Sequence, residues 1–225
     1  IVINVERTLG PHELAGKNII ITGGATAESI DPIRILTNRS SGKTGIELAN
    51  EAYRRGANVT LIQRSHLNCA TPEIKSISIE SVEEMISAVM KELEKERYDV
   101  LISAAAISDF TAARHSTKIK SGEPVLLRLK PTPKLIRKVR EKYPDLFVVG
   151  FKAETHVSEG ELMRRAKSLM QRDRLNIMIA NDVASGGIGT ESNDVYIITG
   201  SGVERISGLK REIARKILDK VAELL

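Results

Sequence analysis

The chain has 225 residues, 41% hydrophobic, 28% charged and 3% aromatic, with a formal net charge of +5 and a single cysteine, Cys69. That length buries the core of one domain, or of one domain with a small appendage, while a lone cysteine excludes a disulfide framework and a cysteine-rich metal site. No apolar run approaches the roughly 20 residues of a membrane span, no signal-peptide pattern opens the chain, and scarce aromatics weigh against nucleic-acid binding; a cytoplasmic protein attracting small anions is expected.

The chain starts without methionine, and residues 1–13 read as a linker remnant. Residues 18–22 form a short apolar strand, followed by Gly23-Gly24. Residues 42–55 have helical spacing through Ile46, Ala49 and Tyr53 and stop at Gly56, a residue type that ends helices. Residues 59–62 and 74–79 are the next strands. Ser81-x-x-Glu84 is a capping box opening a helix with Val82, Met85, Ile86, Val89 and Leu93 on one face. Residues 99–105 are nearly continuously apolar, as in a parallel strand covered on both faces. This alternation predicts an α/β fold with a Rossmann-like parallel sheet and flanking helices.

From Phe110 to Pro131 the chain turns polar and basic around a strand-like run at 125–129, which reads as a protruding flap or arm. Pro133, in a helical first turn, opens a helix over 134–142. A strand at 147–150, a helix at 159–172 and a buried strand at 176–180 follow. Residues 194–199 and 203–206 flank Gly200-Ser-Gly202 as a hairpin. The last helix, 209–225, aligns Leu209, Ile213, Ile217, Val221 and Leu224 on one face.

Gly42-Lys43-Thr44 matches the end of a P-loop, G-x-x-x-x-G-K-[ST], but Thr37 stands where its first glycine belongs. A P-loop also leaves its strand directly; here Gly23-Gly24 intervenes, so the segment is some other anion-binding arrangement. The G-x-G-x-x-G fingerprint is absent, and the second strand ends in Gln63-Arg64 rather than an acid that would hold an NAD ribose. Arg64 suits a 2′-phosphate, so an NADP-binding reductase or regulator on the same sheet is the alternative. Four places after Tyr53, Tyr98, Tyr143 and Tyr196 stand Ala57, Ile102, Phe147 and Gly200, so the Tyr-x-x-x-Lys pair of short-chain reductases is missing. His12, His66, His115 and His156 show no pair at ligand spacing, and no metal ligand is assigned. Glycine, asparagine, serine and lysine instead gather in loops after strand ends, where open parallel sheets bind ligands.

Gly23-Gly24-Ala25-Thr26, Ile30-Asp31-Pro32-Ile33-Arg34 and Thr37-Asn38-Arg39-Ser40-Ser41-Gly42-Lys43 resemble the signature of the phosphopantothenoylcysteine synthetase family. Ala104-Ala105-Ala106-Ile107-Ser108-Asp109-Phe110, Lys118-Ile119-Lys120, Lys130-Pro131-Thr132-Pro133, Val149-Gly150-Phe151-Lys152 and Ala180-Asn181-Asp182-Val183 follow in the family's order, so the resemblance spans residues 14–225. It implies a ligase domain over that range, homodimeric, with the arm around 125–129 at the subunit interface, and fused to or associated with a phosphopantothenoylcysteine decarboxylase. The implied reaction has two steps. The carboxylate of 4′-phosphopantothenate attacks the α-phosphate of CTP, with Mg²⁺ present, giving an acyl cytidylate and pyrophosphate; the amine of cysteine then displaces CMP.

By the same resemblance, Asn38 holds the acyl cytidylate and Lys118 is a mobile-flap lysine. Asp109 contacts the nucleotide, and Ala105, Ala106, Phe151, Pro133, Lys134, Leu135 and Ile136 surround base and sugar. Gly23, Gly24, Ser41, Gly42 and Lys43 complete the nucleotide-binding set, the last three cradling phosphate. The chemistry suits these types: a flexible ammonium can close over a phosphate where charge develops, and an amide donates and accepts without adding charge. Ser121 stands where the family's flap often has another lysine. Two expected nucleotide-binding lysines between Phe151 and Asn181 have no counterpart in register, though Lys167, Arg172 and Arg174 lie nearby. Thr190-Glu191-Ser192 departs from the family's aromatic and aspartate pattern.

Overall fold

The computed structural model describes residues 2–10, 12–64 and 71–225, so Cys69 and His66 lie outside the described residues. The stretch read as a linker remnant carries a helix, α1 (Val2–Leu9). Arg7 fastens it: the guanidinium donates to the carbonyls of Tyr53, Gly56 and Ala57, the last two at 2.9 Å, and stacks 4.3 Å above the Tyr53 ring.

Next come β1 (Asn18–Thr22), a small hairpin of β2 (Ala27–Ser29) and β3 (Ile35–Thr37), α2 (Lys43–Arg54), β4 (Asn58–Arg64), β5 (Lys75–Ile79), α3 (Val82–Lys95) and β6 (Val100–Ser103). The second half contains β7 (Phe110–Ala112), β8 (Leu129–Pro131), α4 (Leu135–Lys142), β9 (Phe147–Glu154), α5 (Glu159–Arg172) and β10 (Ile177–Asp182). A short 3-10 turn, β11 (Ser192–Ile198), β12 (Val203–Leu209) and α6 (Lys210–Leu224) complete it.

Among the described residues, eight strands form one sheet in the order β12-β11-β10-β9-β6-β1-β4-β5. The strands from β5 to β10 pair in parallel, and β11 and β12 add an antiparallel edge. Numbered among themselves, the parallel strands run three-two-one-four-five-six, the doubly wound order of dinucleotide-binding sheets. The fold is the α/β architecture that the alternating pattern predicts.

Neighbouring residues of β1 show why the centre of that strand is apolar on both faces. Ile19 and Ile21 enter a core with Leu48 and Ala52 of α2 and Ile213 and Ile217 of α6. Ile20 enters the opposite core with Met85 and Val89 of α3, Leu135 of α4 and Leu162 of α5. A strand sandwiched between two helix layers has no wet face. Half of the capping box forms: the Glu84 amide donates to Ser81 Oγ at 3.2 Å, but the Glu84 carboxylate accepts from the Glu80 amide, at 2.7 Å, one residue before the cap. No helix among the described residues is long and apolar enough to cross a membrane.

Some boundaries shift for identifiable reasons. β9 continues past Gly150 because β10 pairs with it through Glu154. Of the strand expected at 125–129, only Leu129 joins a ladder; its partner strand β7 ends at Ala112, leaving the preceding residues nothing to pair with. Lys134 caps α4 in an extended conformation, so Pro133 precedes the helix instead of occupying its first turn.

Candidate active site

The sheet reverses its direction of winding between β1 and β6, and the crevice outside the carboxyl ends of such a pair is where doubly wound sheets take ligands. A cleft of about 530 Å³ lies there. Its floor is zipped from the two loops that leave these strands. The Ala106 amide donates to the Gly24 carbonyl at 2.8 Å, and the Ser108 amide to Thr26 Oγ1 at 2.9 Å. Gly24, at φ 71°, lines the cleft.

Gly23 does not line it. Its place is structural: a Cβ added at Gly45 would stand 2.7 Å from the Gly23 Cα, so two glycines facing each other let α2 dock against the end of β1. The first turn of α2 is thereby aimed into the cleft. Gly42 caps the helix at φ 73° with no side-chain oxygen on the first-turn amides, and uncapped amides at a helix N-terminus form an anion site. Ser41, Gly42 and Lys43 all line the cleft.

Asn38 reaches across from the β3–α2 loop. Its Nδ2 donates to the carbonyls of Ala106 and Ile107 at 3.2 and 3.3 Å, joining two walls and leaving Oδ1 as the acceptor of the amide. Ala105, Ala106 and Asp109 follow along the β6 loop, and the Asp109 carboxylate is ion-paired with Lys134. Lys134, Leu135, Ile136 and Phe151 line the same end. Thr132 holds that end together by donating its Oγ1 proton to the Ser108 carbonyl at 2.5 Å and its amide to the Asp109 carbonyl at 3.0 Å.

Pro133 and Lys118 are not brought into this lining. Lys118 is exposed on the arm, beside a firm anchor. The Ile119 amide donates to Asp31 Oδ2 at 3.1 Å, and Arg34 Nη1 donates to both Asp31, at 2.6 Å, and the Ile119 carbonyl, at 3.1 Å. Burial alone would raise the Asp31 pKa, but the amides of Ile33, Arg34 and Ile119 with the Arg34 guanidinium hold it well below the usual carboxylate range. Arg64, the residue suited to a 2′-phosphate, pairs with Glu80 at 3.2 Å and is also outside the lining.

Sequence reasoning missed several lining residues. Arg172 reaches the cleft while Lys167 and Arg174 do not, and it forms a two-pronged pair with Asp173 at 2.8 and 3.0 Å. Asn181 Nδ2 donates to Asn193 Oδ1 at 3.3 Å, placing a half-buried amide pair at the wall. Lys210, from α6, is the least foreseeable, since its neighbours in sequence are those of an ordinary amphipathic helix. Arg172 had a signal in the basic cluster near the end of α5, and Asn181 in the Ala180-Asn181-Asp182-Val183 motif, though neither received a role from it.

The family described as DNA/pantothenate metabolism flavoprotein C-terminal domain matches residues 14–225. The Coenzyme A biosynthesis bifunctional protein CoaBC of Thermococcus kodakarensis is 43% identical over 227 residues, an alignment covering 100% of this chain and 56% of that protein. The chain spans about half the length of the curated relatives it matches. Among solved structures, the DNA/pantothenate metabolism flavoprotein from Streptococcus pneumoniae superposes with a TM-score of 0.81 at 26% identity, covering 92% of this chain and 98% of that one. The C-terminal domain of a CoaBC protein gives a TM-score of 0.76 at 28% identity, covering 94% and 97%.

Proposed function

The chain belongs to the DNA/pantothenate metabolism flavoprotein C-terminal domain family, and on that premise we propose that its cleft joins 4′-phosphopantothenate to cysteine in coenzyme A biosynthesis, using CTP to activate the acid. The observation that carries this reading is the convergence of Asn38, Lys43, Ala106 and Asp109, from loops after different strands, on one crevice at the β1/β6 reversal.

The chemistry follows from what each wall offers. The pantothenate carboxylate attacks the α-phosphorus of CTP; the bond to the bridging oxygen breaks and pyrophosphate leaves. Two anions approach each other in that step, so the site must supply positive charge. The uncapped first turn of α2 and Lys43 supply it from below, and Lys118 supplies it from above once the arm, hinged beside the Asp31–Ile119 anchor, closes over the substrates. Asp109 exchanges Lys134 for the ribose hydroxyls. The Asn38 amide, anchored through Nδ2, presents Oδ1 as an acceptor for the amine of cysteine, which attacks the acyl carbon and expels CMP.

Among the described residues no group of three or more His, Cys, Asp or Glu side chains could hold a metal. In this reading Mg²⁺ enters as part of the magnesium–nucleotide substrate, in keeping with its preference for phosphate and water oxygens. The reading extends to a cytoplasmic homodimer, with Leu126, 93% exposed on the arm, at the subunit contact, and to association with a phosphopantothenoylcysteine decarboxylase, in keeping with the relatives' description as bifunctional.

Pyrophosphate release tests it directly. With 4′-phosphopantothenate, CTP should yield pyrophosphate before cysteine is added and CMP only afterwards, faster than ATP does. Pyrophosphate release that ignores phosphopantothenate would overturn the reading.

A further inference from the structure

The cleft contains a cation that the family resemblance does not assign. Lys210, the first residue of α6, is 5% exposed and shares the lining with Lys43. Its ammonium donates to the Thr190 carbonyl at 2.7 Å, which uses one of three donors. Burial, then the nearby Lys43 ammonium, hold the Lys210 pKa below the ordinary lysine value, and Glu191 opposes them.

Glu191 sits between the two lysines in an unusual way. Its main chain is fixed, since its carbonyl accepts from the Lys210 amide at 2.9 Å. Its side chain is 74% exposed and ion-paired with Lys43. Two ammonium groups and one carboxylate leave this wall with an excess positive charge, and the carboxylate can leave by side-chain rotation alone. We infer that Lys210 and Lys43 form a subsite for the terminal phosphates of the nucleotide, released as pyrophosphate, and that Glu191 fills it as an internal stand-in until the incoming polyphosphate displaces its carboxylate.

The exchange has a clear electrostatic direction. A polyphosphate carries more negative charge than one carboxylate, so it offsets both ammonium groups, including the one that burial has stripped of water. The displaced Glu191 loses little, because its carboxylate rotates into solvent. When pyrophosphate departs, the carboxylate returns to Lys43 and hinders rebinding. The inference rests on the ligase reading only for naming the anion.

Calorimetric titration with inorganic pyrophosphate and, separately, with CMP tests it on the whole chain. Glu191→Gln should bind pyrophosphate roughly fivefold more tightly, and Lys210→Met roughly tenfold more weakly, with CMP affinity unchanged in both. Unchanged or weaker pyrophosphate binding by Glu191→Gln overturns the proposal, and so does an equal loss of CMP and pyrophosphate affinity in Lys210→Met, which marks a mere staple between α6 and Thr190. Glu191 is exposed, so its variant carries the test even where Lys210→Met does not fold. The expected pyrophosphate responses without phosphopantothenate-dependent turnover of CTP would uphold the subsite and count against the ligase reading alone.

Discussion

The two ends of the parallel sheet use the same kinds of charged residue to opposite effect. At the amino end, the buried Arg140 guanidinium donates to the carbonyls of Pro144, Leu146 and Arg174 at 2.9, 2.5 and 2.5 Å and to Asn176 Oδ1 at 3.3 Å. Arg55 is similarly spent on Glu51 and Asp219, at 2.9 and 2.8 Å, and on the Arg215 carbonyl at 3.0 Å. At the carboxyl end, Lys43 and Lys134 are held by single carboxylates, Glu191 and Asp109, that are themselves well exposed. A cation surrounded by fixed carbonyls has nothing left for a ligand. One held by a mobile surface carboxylate can exchange it, since exposed pairs are worth little.

That contrast can be broken by substitution. The largest effect belongs to Lys118→Gln, expected to lower phosphopantothenate-dependent pyrophosphate release about 10²- to 10³-fold while leaving the thermal midpoint in place, because the side chain is exposed. A comparable fall in the midpoint would mean the arm is part of the scaffold. Arg140→Met should do the reverse, costing about 3 kcal/mol in urea unfolding as its buried acceptors lose their donor, with nucleotide affinity intact under folding conditions. Gly45→Ala should affect both ends: the new methyl group meets the Gly23 backbone, costing about 1–3 kcal/mol, and the displaced α2 should bind nucleotide more weakly in the same titration.

Asn38→Asp sets a carboxylate against the carbonyls of Ala106 and Ile107. It should slow the cysteine-dependent appearance of CMP about tenfold, the equivalent of one lost hydrogen bond, and an unaltered second step would remove Asn38 from the mechanism. The smallest effect lies away from both ends. Hydrogen bonds from Arg164 and then Arg165 hold Glu161 down at about 2, against an ordinary value of 4.5. A depressed carboxylate contributes stability that is full above its unfolded pKa and disappears as pH falls through its folded one. Glu161→Gln should therefore narrow the drop in thermal midpoint between about pH 5 and about pH 3, and an unchanged drop would show the pairs to be inconsequential.

The scaffold was legible wherever a local pattern had one physical solution. Ile19-Ile20-Ile21 can only be a strand between two apolar layers, and Ser81-x-x-Glu84 starts a helix wherever it goes. The hairpin of β2 and β3 escaped notice because three-residue strands carry no period. In the arm, Val125 to Leu129 is an apolar, strand-like run, yet composition cannot supply the neighbour that a ladder needs. The site was legible as a set of strand-end loops, and Gly24, Asn38, Lys43 and Asp109 do line the cleft. Gly23 shows the limit of motif reading, since the same glycine serves packing. Lys210 was invisible because a lysine on an amphipathic helix looks solvated until the tertiary fold shows what lies beside it, and for the same reason nothing local separated Arg172 from Lys167 and Arg174.

The placement of β1 between β4 and β6 also dictates an order of assembly. β4 follows β1 closely and can join it early, but Ile19 meets Val100 only after the intervening helices and strands have been made. Closing that long loop is slow, because its entropy is lost before its contacts form. β1, β4 and β5 are therefore expected to pair first during synthesis, as an open-edged sheet with half a crevice, and ligand affinity to emerge late, when β6 seals the unpaired side of β1.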